Sequence, residues 1–161
     1  MKEVQVYELL DWLAISYEIL EHEPIDSVLE AAERGIVLPG QQVKNLVLKN
    51  KKGRQYYLLI LKDEKTADIS KLAEILGEKR LSFANADNLK ELLGVVPGAV
   101  TPFGLLNDKD KKVQVIVDEE VDPNLTVGFH PFVNDKTLNI SYKDFLRFLD
   151  YAQHPARRIL T

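Results

Sequence analysis

The chain has 161 residues, of which 45% are hydrophobic and 29% charged, a composition typical of a folded globular protein and not of an intrinsically disordered one. It contains no cysteine, which excludes disulfides, thiolate metal sites and a cysteine nucleophile. The net charge of −4 argues against a protein that coats nucleic acid through long-range attraction alone.

The first half of the chain alternates helical and extended patterns. Apolar residues at helical spacing indicate helices, and short apolar runs between turn residues indicate strands. In chain order we expect a helix over 4–14, a strand over 17–20, a helix over 28–34 that begins at Asp26 or Ser27 and ends at Gly35, a β-hairpin of strands 45–48 and 56–61 joined by 49–55, a helix over 69–76 ending at Gly77, a strand over 81–84, and a helix over 88–93 ending at Gly94.

The second half is predicted to be richer in strand pairs. We expect a hairpin of 103–106 and 113–117 around 107–112, a strand pair of 127–129 and 137–140, and an amphipathic helix over 142–151. Hairpins with helices between them favour antiparallel or mixed pairing over a doubly wound parallel sheet. No repeat or linker divides the chain. We therefore predict an α/β fold, a single compact domain over 1–161 with a mixed, mostly antiparallel sheet flanked by helices.

Several common functional signatures are absent from the sequence. It has no Gly-rich phosphate loop, no G-x-S-x-G and no H-E-x-x-H motif. The three histidines, His22, His130 and His154, are far apart in the sequence and lack ligand spacing, so we expect neither a metal site nor a cofactor. No apolar run approaches the roughly 20 residues that span a bilayer, so we expect a soluble, cytoplasmic protein without a membrane partner.

The segment 94–104 is unusual because it packs three glycines and two prolines into eleven residues between a predicted helix and a predicted strand. Glycine permits close backbone approach and positive φ, and proline fixes φ. Such a loop could hold amide N–H groups that point at a ligand carbonyl or phosphate, or it could be a plain connection.

Basic residues cluster on and beside the first predicted hairpin: Lys44, Lys49, Lys51, Lys52 and Arg54. A solvated hairpin tip accounts for the last three. Lys44 differs because it stands where an apolar strand begins, and the sheet could hold it there as a point charge for a phosphate. Its side chain could equally extend to solvent.

His130-Pro131 lies between two predicted strands, and Asn134 and Thr137 follow at short spacing. A lone histidine is usually structural, but one placed at a strand end among polar residues can also bind a ligand or move a proton. The residues alone leave both interpretations open.

Taken together, these segments resemble one family, the YbaK/ProX-type aminoacyl-tRNA deacylases, which are related to the editing domain inserted in bacterial prolyl-tRNA synthetases. The resemblance extends over nearly the whole chain, and residues 81–84 and 102–105 are similar to its free-standing ProX branch. The segments that carry it are Lys44-Asn45-Leu46, Gly98-Ala99-Val100-Thr101-Pro102, and Gly128-Phe129-His130-Pro131 followed by Asn134 and Thr137.

The resemblance implies one editing domain with a mixed sheet around a pocket, and hydrolysis of the ester that joins an amino acid to the terminal adenosine of tRNA. It assigns Lys44 to a substrate phosphate, Asn45 to the pocket beside it, and His130 to lining or orienting the site. It assigns backbone contacts with the aminoacyl-adenosine end to the loop Gly98, Ala99, Val100, Thr101 and Pro102, and places Asn134 and Thr137 in the substrate site.

The chemistry suits this set of residues. Ester hydrolysis needs a positioned water, stabilisation of the developing oxyanion and a proton route, and backbone N–H groups can supply the second. Members of the family are thought to use the substrate's own ribose hydroxyl for proton handling, which agrees with the lack of an obvious catalytic triad.

Editing is needed because a missing methylene changes binding by only about 1–3 kcal/mol, so a synthetase pocket built for proline cannot strongly exclude a smaller amino acid. A second, smaller pocket can hydrolyse the mistake and spare the correct product. Val28, Ala31 and Ala32 on the second predicted helix are candidate walls of that pocket, although they could be ordinary core residues.

The resemblance to the ProX branch favours Ala-tRNA(Pro) as substrate. The alternatives are a Cys-tRNA(Pro) deacylase and, from another class, a non-catalytic sensor that binds an aminoacyl-tRNA end. We expect the tRNA acceptor end to contact Lys44, the hairpin lysines and Arg157-Arg158. A prolyl-tRNA synthetase or an elongation factor could contribute further affinity as a partner.

Overall fold

Residues 2–24, 33, 35 and 40–161 are described by a computed structural model. The helices are α1 (Glu3–Trp12), α2 (Ile69–Leu76), α3 (Ala86–Leu93), a 3₁₀ helix (Pro102–Asn107) and α4 (Tyr142–Tyr151). The strands are β1 (Glu18–Glu21), β2 (Val43–Asn50), β3 (Tyr56–Lys62), β4 (Leu81–Phe83), β5 (Val113–Asp118), β6 (Thr126–Phe129), β7 (Lys136–Ser141) and β8 (Ala156–Ile159).

The strands form two sheets. A three-stranded sheet has the order β1-β7-β6 and is antiparallel throughout, and a five-stranded sheet has the order β4-β2-β3-β5-β8. In the larger sheet β2 pairs antiparallel with β3 and β4, whereas β5 pairs parallel with β3 and β8. A parallel bridge between Gln41 and Val127 joins the sheets just before β2. The predicted α/β fold with mixed, mostly antiparallel pairing is thus confirmed, in the form of two sheets.

Strand β3 lies at the centre of the larger sheet and is apolar on both sides. Its residues alternate between two hydrophobic clusters, because successive side chains of a strand point to opposite faces. Leu58 and Ile60 belong to the first cluster, which also contains four buried phenylalanines, while Leu59 and Leu61 belong to the second, which includes Leu72 of α2. A strand covered on both faces reads as a continuous apolar run, which is why this hairpin was predictable.

Helices α2 and α3 begin and end at capping residues. The Asp68 side chain accepts the amide of Lys71 at 3.0 Å, and Asn85 accepts that of Asn88 at 2.8 Å. Both helices end at a glycine in the left-handed conformation, as predicted for Gly77 and Gly94. Helix α3 begins two residues earlier than predicted because Asn85 supplies its cap.

The predicted hairpin of 103–106 and 113–117 is wrong. Residues 102–107 form the 3₁₀ helix, and β5 pairs parallel with β3 and β8. Pro102 starts the 3₁₀ helix, where its fixed φ and missing N–H are tolerated. Gly104 packs against the end of α3, since a Cβ there would lie 2.7 Å from the Leu93 carbonyl oxygen. The short apolar run over 103–106 thus forms a 3₁₀ helix that packs against α3, and it does not form a strand.

Two further differences from the predicted elements concern strand β8 and the second predicted helix. Strand β8 was not predicted, because it is short and two of its four residues are exposed arginines. The helix predicted over 28–34, with its cap at Asp26 or Ser27, lies outside the described residues except for residue 33.

Asp118 at the end of β5 is a buried carboxylate that ties the C-terminal residue to the sheet. It accepts hydrogen bonds from the Thr161 hydroxyl, from the Thr161 amide at 3.1 Å, and from the Glu120 amide at 2.8 Å. Lys65 Nζ lies 2.9 Å away. Burial raises the pKa of Asp118, but the hydrogen bonds from Thr161 and Lys65 outweigh it, so the pKa lies below its ordinary value.

This lowered pKa predicts a pH dependence of stability. Because the folded-state pKa is below that of the unfolded chain, about 3.9, the stabilisation is present above that pH and is lost as pH falls through the folded pKa. We expect Asp118→Asn to be about 2 kcal/mol less stable at pH 7 and to lose less stability on acidification. Urea unfolding of both proteins between pH 7 and 3 measures this. If the free energy of unfolding depends on pH in the same way for both proteins, Asp118 does not contribute this pH-dependent stabilisation.

Candidate functional site

One side of the three-stranded sheet is polar although much of it is buried. Val127 and Phe129 of β6, with Leu138 and Ile140 of β7, face the first hydrophobic cluster. The alternate residues must therefore face the other way. We call this other side the polar face; it carries Thr126, Gly128, His130, Thr137 and Asn139, with His22 at its edge.

His130 lies just beyond the end of β6 and is held by the neighbouring strand. Its Nδ1 is 2.8 Å from the carbonyl oxygen of Lys136, the first residue of β7. A carbonyl oxygen only accepts, so Nδ1 carries the hydrogen and the ring orientation is set. Lys136 is itself anchored to α1, since its Nζ lies 2.6 Å from Glu3 Oε2.

The turn after His130 contains a strained residue. Phe132 has a φ of 67°, which is uncommon for a bulky side chain, and its ring packs on the first hydrophobic cluster. Such conformations persist where packing over-determines them, often at functional sites. Asn134 follows in the same turn and is half-buried.

Thr137 is buried at the centre of the polar face, with 4% of its surface exposed. Its methyl group packs on Gly128, where a Cβ would lie 2.9 Å from Thr137 Cγ2, so only glycine fits there without a shift. Its hydroxyl lies 2.9 Å from His22 Nε2. The rings of His22 and His130 are 6.3 Å apart. The resemblance had indicated His130 and Thr137, and the structure brings them together with His22.

Asn139 is the second buried polar residue of this face. Its Nδ2 donates to Thr126 Oγ1 at 2.9 Å, whereas its Oδ1 is buried without a hydrogen-bond partner among the described residues. Gly40 lies directly against both side chains; a Cβ on Gly40 would be 2.2 Å from Thr126 Oγ1. The chain therefore enters β2 from the polar face.

Lys44 lies four residues further on, near the start of β2. Its side chain is on the same side of β2 as Leu46 and Leu48, which pack on the second hydrophobic cluster. Burial raises the pKa of Asp63, and the positive charge of Lys44 opposes that rise, so the two groups are within electrostatic reach. Lys44 is half-buried and remains a point charge held at a strand end.

Asn45 faces the opposite side of β2 from Lys44. It is half-buried, and its Oδ1 atom is buried with no hydrogen-bond partner in the described part of the chain. Buried acceptors are usually satisfied, so an unpaired one calls for an explanation such as a ligand or a water. Lys44 and Asn45 thus contribute to different sides of the sheet.

The loop from Gly98 to Pro102 turns sharply, as predicted. Gly98 has a φ of 87°, which favours glycine. Ala99, Thr101 and Pro102 are buried, whereas Gly98 and Val100 are half-buried. The Ala99 amide donates to the Val96 carbonyl, and the Thr101 hydroxyl accepts from Phe103. Gly98 and Val100 are therefore the loop residues best exposed to a ligand.

The basic residues are divided between solvent and structural roles. Lys51, Lys52 and Arg54 are exposed at the β2–β3 turn, and Lys49 donates to Asn88. Arg158 donates to the Tyr142 hydroxyl and to two backbone carbonyls, which gives it a structural role in addition to any contact with RNA. Arg157 is exposed.

Some predicted site residues cannot be located. Val28, Ala31 and Ala32, the candidate walls of a size-selective pocket, lie outside the described residues. The sequence also did not predict that four further residues lie on or beside the polar face: His22, Gly40, Thr126 and Asn139. The alternation of polar and apolar residues in 126–130 and 137–140 was the signal that could have revealed a polar face.

Two other structural features, a metal-binding cluster and a membrane-spanning helix, are absent from the described ranges. No three His, Asp or Glu side chains of the described residues are grouped closely enough to hold a metal ion. None of the helices in the part of the chain that the structure describes is long and apolar enough to cross a membrane.

Comparison with known proteins gives one consistent result. A family model, "Aminoacyl-tRNA editing domain", matches residues 22–148. The prolyl-tRNA editing protein ProX of Acetoanaerobium sticklandii is 38% identical over 135 residues, 84% of this chain and 82% of the relative. The multifunctional Ser/Thr-tRNA deacylase ProXp-y of Escherichia coli K12 is 32% identical over 146 residues, 86% of this chain and 83% of the relative.

A solved structure of a proposed trans-editing enzyme for prolyl-tRNA synthetase superposes with a TM-score of 0.68 at 19% identity. The match covers 99% of this chain and 96% of that one. At this identity the likeness shows the fold alone.

Proposed function

Because this chain belongs to the aminoacyl-tRNA editing domain family, we propose that it is a trans-editing hydrolase that removes a wrongly attached small amino acid from tRNA, with Ala-tRNA(Pro) as its principal substrate. The bond cleaved is the ester between the amino acid and the terminal adenosine. The observation that carries the proposal is the buried polar face, where His130 and Thr137 lie together with His22.

The proposed site uses groups on three elements. Lys44 at the start of β2 holds a phosphate near the acceptor end, since a half-buried ammonium is a compact point charge for such a group. His130, whose orientation is set by the Lys136 carbonyl, lines the amino-acid end. Backbone amides of the loop at Gly98 and Val100 stabilise the oxyanion. The place of this loop at the substrate rests on the family resemblance.

The proposed reaction needs no covalent intermediate with the protein. A water oxygen attacks the ester carbonyl carbon, and negative charge develops on the carbonyl oxygen. The bond from this carbon to the ribose oxygen then breaks, the ribose oxygen takes up one of the two protons of the water, and the other proton is released to solvent as the amino acid leaves as a carboxylate. The family resemblance implies that the neighbouring ribose hydroxyl handles the proton.

Two unpaired acceptors, one on Asn45 of the predicted site and one on Asn139 of the polar face, support a role in binding a polar ligand. Asn45 Oδ1 and Asn139 Oδ1 are both buried without a hydrogen-bond partner among the described residues. Leaving such an atom unpaired costs about 1–3 kcal/mol. A substrate that donates N–H or O–H groups could recover part of that cost.

The amino acid and the partners form the finer part of the proposal. Similarity to a prolyl-tRNA editing protein favours tRNA(Pro), and similarity to a Ser/Thr-tRNA deacylase extends the set of small amino acids to be considered. With a net charge of −4, few phosphate contacts are expected, so prolyl-tRNA synthetase or an elongation factor would supply additional affinity. The exposed Lys51, Lys52 and Arg54 are the expected contacts with tRNA outside the acceptor end.

The test is a panel of substrates under single-turnover conditions. Purified protein in excess is mixed with tRNA(Pro) charged with alanine, cysteine, serine, threonine or proline, with and without a chelator. We expect the alanine ester to be lost fastest, the proline ester to be spared, and the chelator to have no effect.

The panel also separates the alternatives. Fastest loss of cysteine would identify a Cys-tRNA(Pro) deacylase. Tight binding of aminoacyl-tRNA without turnover would identify a non-catalytic sensor and contradict the proposed hydrolase.

A further inference from the structure

His22 joins the polar face from a distant part of the sequence. Its amide donates to the Asp135 carbonyl at 2.9 Å, which continues the pairing of β1 with β7 beyond Glu21. Its ring lies between two oxygen atoms: Nδ1 is 2.8 Å from the Glu23 carbonyl oxygen and Nε2 is 2.9 Å from Thr137 Oγ1. The ring is thus held on both sides.

These two contacts decide which way the hydroxyl of Thr137 points. A carbonyl oxygen only accepts hydrogen bonds, so Nδ1 of His22 carries a hydrogen. In the neutral ring Nε2 is then an acceptor, and the Thr137 hydroxyl must donate to it. The lone pairs of Thr137 Oγ1 are consequently left to accept from another group.

Packing removes the remaining freedom of Thr137. Its methyl group rests on Gly128, where a Cβ would approach to 2.9 Å, and its backbone belongs to β7. A β-branched side chain has few χ1 rotamers, and here one branch contacts glycine while the other reaches His22. The oxygen of Thr137 therefore has a defined position and a defined role as acceptor.

We propose that His22 is a positioning residue of the deacylation site, which acts by holding the Thr137 hydroxyl as a hydrogen-bond acceptor for an N–H or O–H donor of the aminoacyl-adenosine. This inference rests on the proposed function. The donor is either the α-amino group of the amino acid or a ribose hydroxyl, which share the chemistry of a hydrogen-bond donor.

The contact between His22 and Thr137 predicts coupling between their effects on catalysis. Thr137→Val keeps the methyl packing and the volume of the side chain but removes the hydroxyl. His22→Leu removes the ring nitrogen that accepts the hydrogen bond from this hydroxyl. We expect each substitution to slow single-turnover deacylation of Ala-tRNA(Pro) by about tenfold, the effect of one lost neutral hydrogen bond. If His22 acts through Thr137, the double variant is also slowed by about tenfold, not a hundredfold.

Conservative variants separate positioning from a merely structural role. Thr137→Ser retains the hydroxyl, and His22→Gln offers an amide oxygen near the position of Nε2. Both should recover most of the rate lost in Thr137→Val and His22→Leu, with free energies of unfolding measured in parallel. If His22 has only a structural role, His22→Leu should lower the free energy of unfolding. Its effect on the single-turnover rate should then multiply with that of Thr137→Val.

The outcomes are distinct. An active wild-type protein with a hundredfold loss in the double variant, or full activity of His22→Leu, overturns this inference and leaves the proposed function standing. An inactive wild-type protein on every charged tRNA overturns both. Propionyl-tRNA(Pro), in which hydrogen replaces the α-amino group of alanine, identifies the donor, because the effect of Thr137→Val should vanish on it if the donor is the α-amino group and persist if it is a ribose hydroxyl.

Discussion

Replacement of Lys44 by alanine is expected to slow single-turnover hydrolysis of Ala-tRNA(Pro) by about a hundredfold, the effect of losing the group that positions a substrate. Lys44 is half-buried at the start of β2, within electrostatic reach of Asp63. In the proposed role of Lys44, its removal leaves a substrate phosphate without a counter-charge, and it takes no residue from either hydrophobic cluster. The free energy of unfolding should change by less than about 1 kcal/mol.

Lys62 provides a matched control for this prediction. It is a half-buried lysine on the adjacent strand, where it pairs with Val43, the residue before Lys44. Lys62→Ala makes the same change in net charge, but the Lys62 side chain is on the side of the sheet opposite to Lys44, so the rate should stay within about twofold of wild type. Equal losses in both variants, or full activity of Lys44→Ala, would remove Lys44 from the site.

Asp108→Asn is expected to cause the largest loss of stability, about 3 kcal/mol, because it breaks a buried pair by removing one partner. Asp108 Oδ2 lies 2.9 Å from His154 Nε2 and accepts the Val113 amide at 2.9 Å, and Oδ1 accepts the Lys112 amide at 3.0 Å. These contacts join the entry of β5 to the segment before β8. An asparagine cannot accept at both positions, so at least one donor is left unpaired.

Asp110 lies two residues away and is exposed, so Asp110→Asn is the control. Thermal and urea unfolding should show a melting temperature about 10 °C lower for Asp108→Asn and nearly unchanged for Asp110→Asn. The single-turnover rate of folded Asp108→Asn should stay near that of wild type, because this pair lies outside the proposed site. A loss below about 1 kcal/mol would show that the pair contributes little.

Much of the fold follows from local patterns. The helix predictions over 69–76 and 142–151 match the structure, because each has an apolar stripe and a capping residue at its start, Asp68 and Ser141. The hairpin of β2 and β3 was predictable from two apolar runs around a polar turn. The pairing of 126–129 with 136–141 was predictable for the same reason.

The missed features depend on contacts between distant segments. The sequence does not predict a site role for His22, because the three histidines are far apart along the chain. In the structure β1 pairs with β7 and brings His22 to Thr137, 115 residues later. The parallel pairing of β5 likewise depends on β3 and β8. Short apolar runs such as 103–106 are ambiguous by periodicity alone. Here Pro102 and Gly104 favour the 3₁₀ helix over a strand.

The sequence predicts which residues form the site, and the structure shows where the described ones among them lie. Motif resemblance selected His130 and Thr137, which lie on one polar face. The resemblance could not show that Lys44 and Asn45 point to opposite sides of β2, a consequence of strand alternation. The family to which the chain belongs was correctly predicted from its motifs.

The central claim is that this chain hydrolyses a small aminoacyl ester and spares the cognate one. The most direct measurement is the single-turnover rate of amino-acid release from Ala-tRNA(Pro) and Pro-tRNA(Pro) by the purified protein, each compared with spontaneous hydrolysis. We predict rapid release of alanine and a proline rate no higher than the spontaneous one. Alanine release at the spontaneous rate, or equal release of alanine and proline, would contradict the proposed substrate and its size filter.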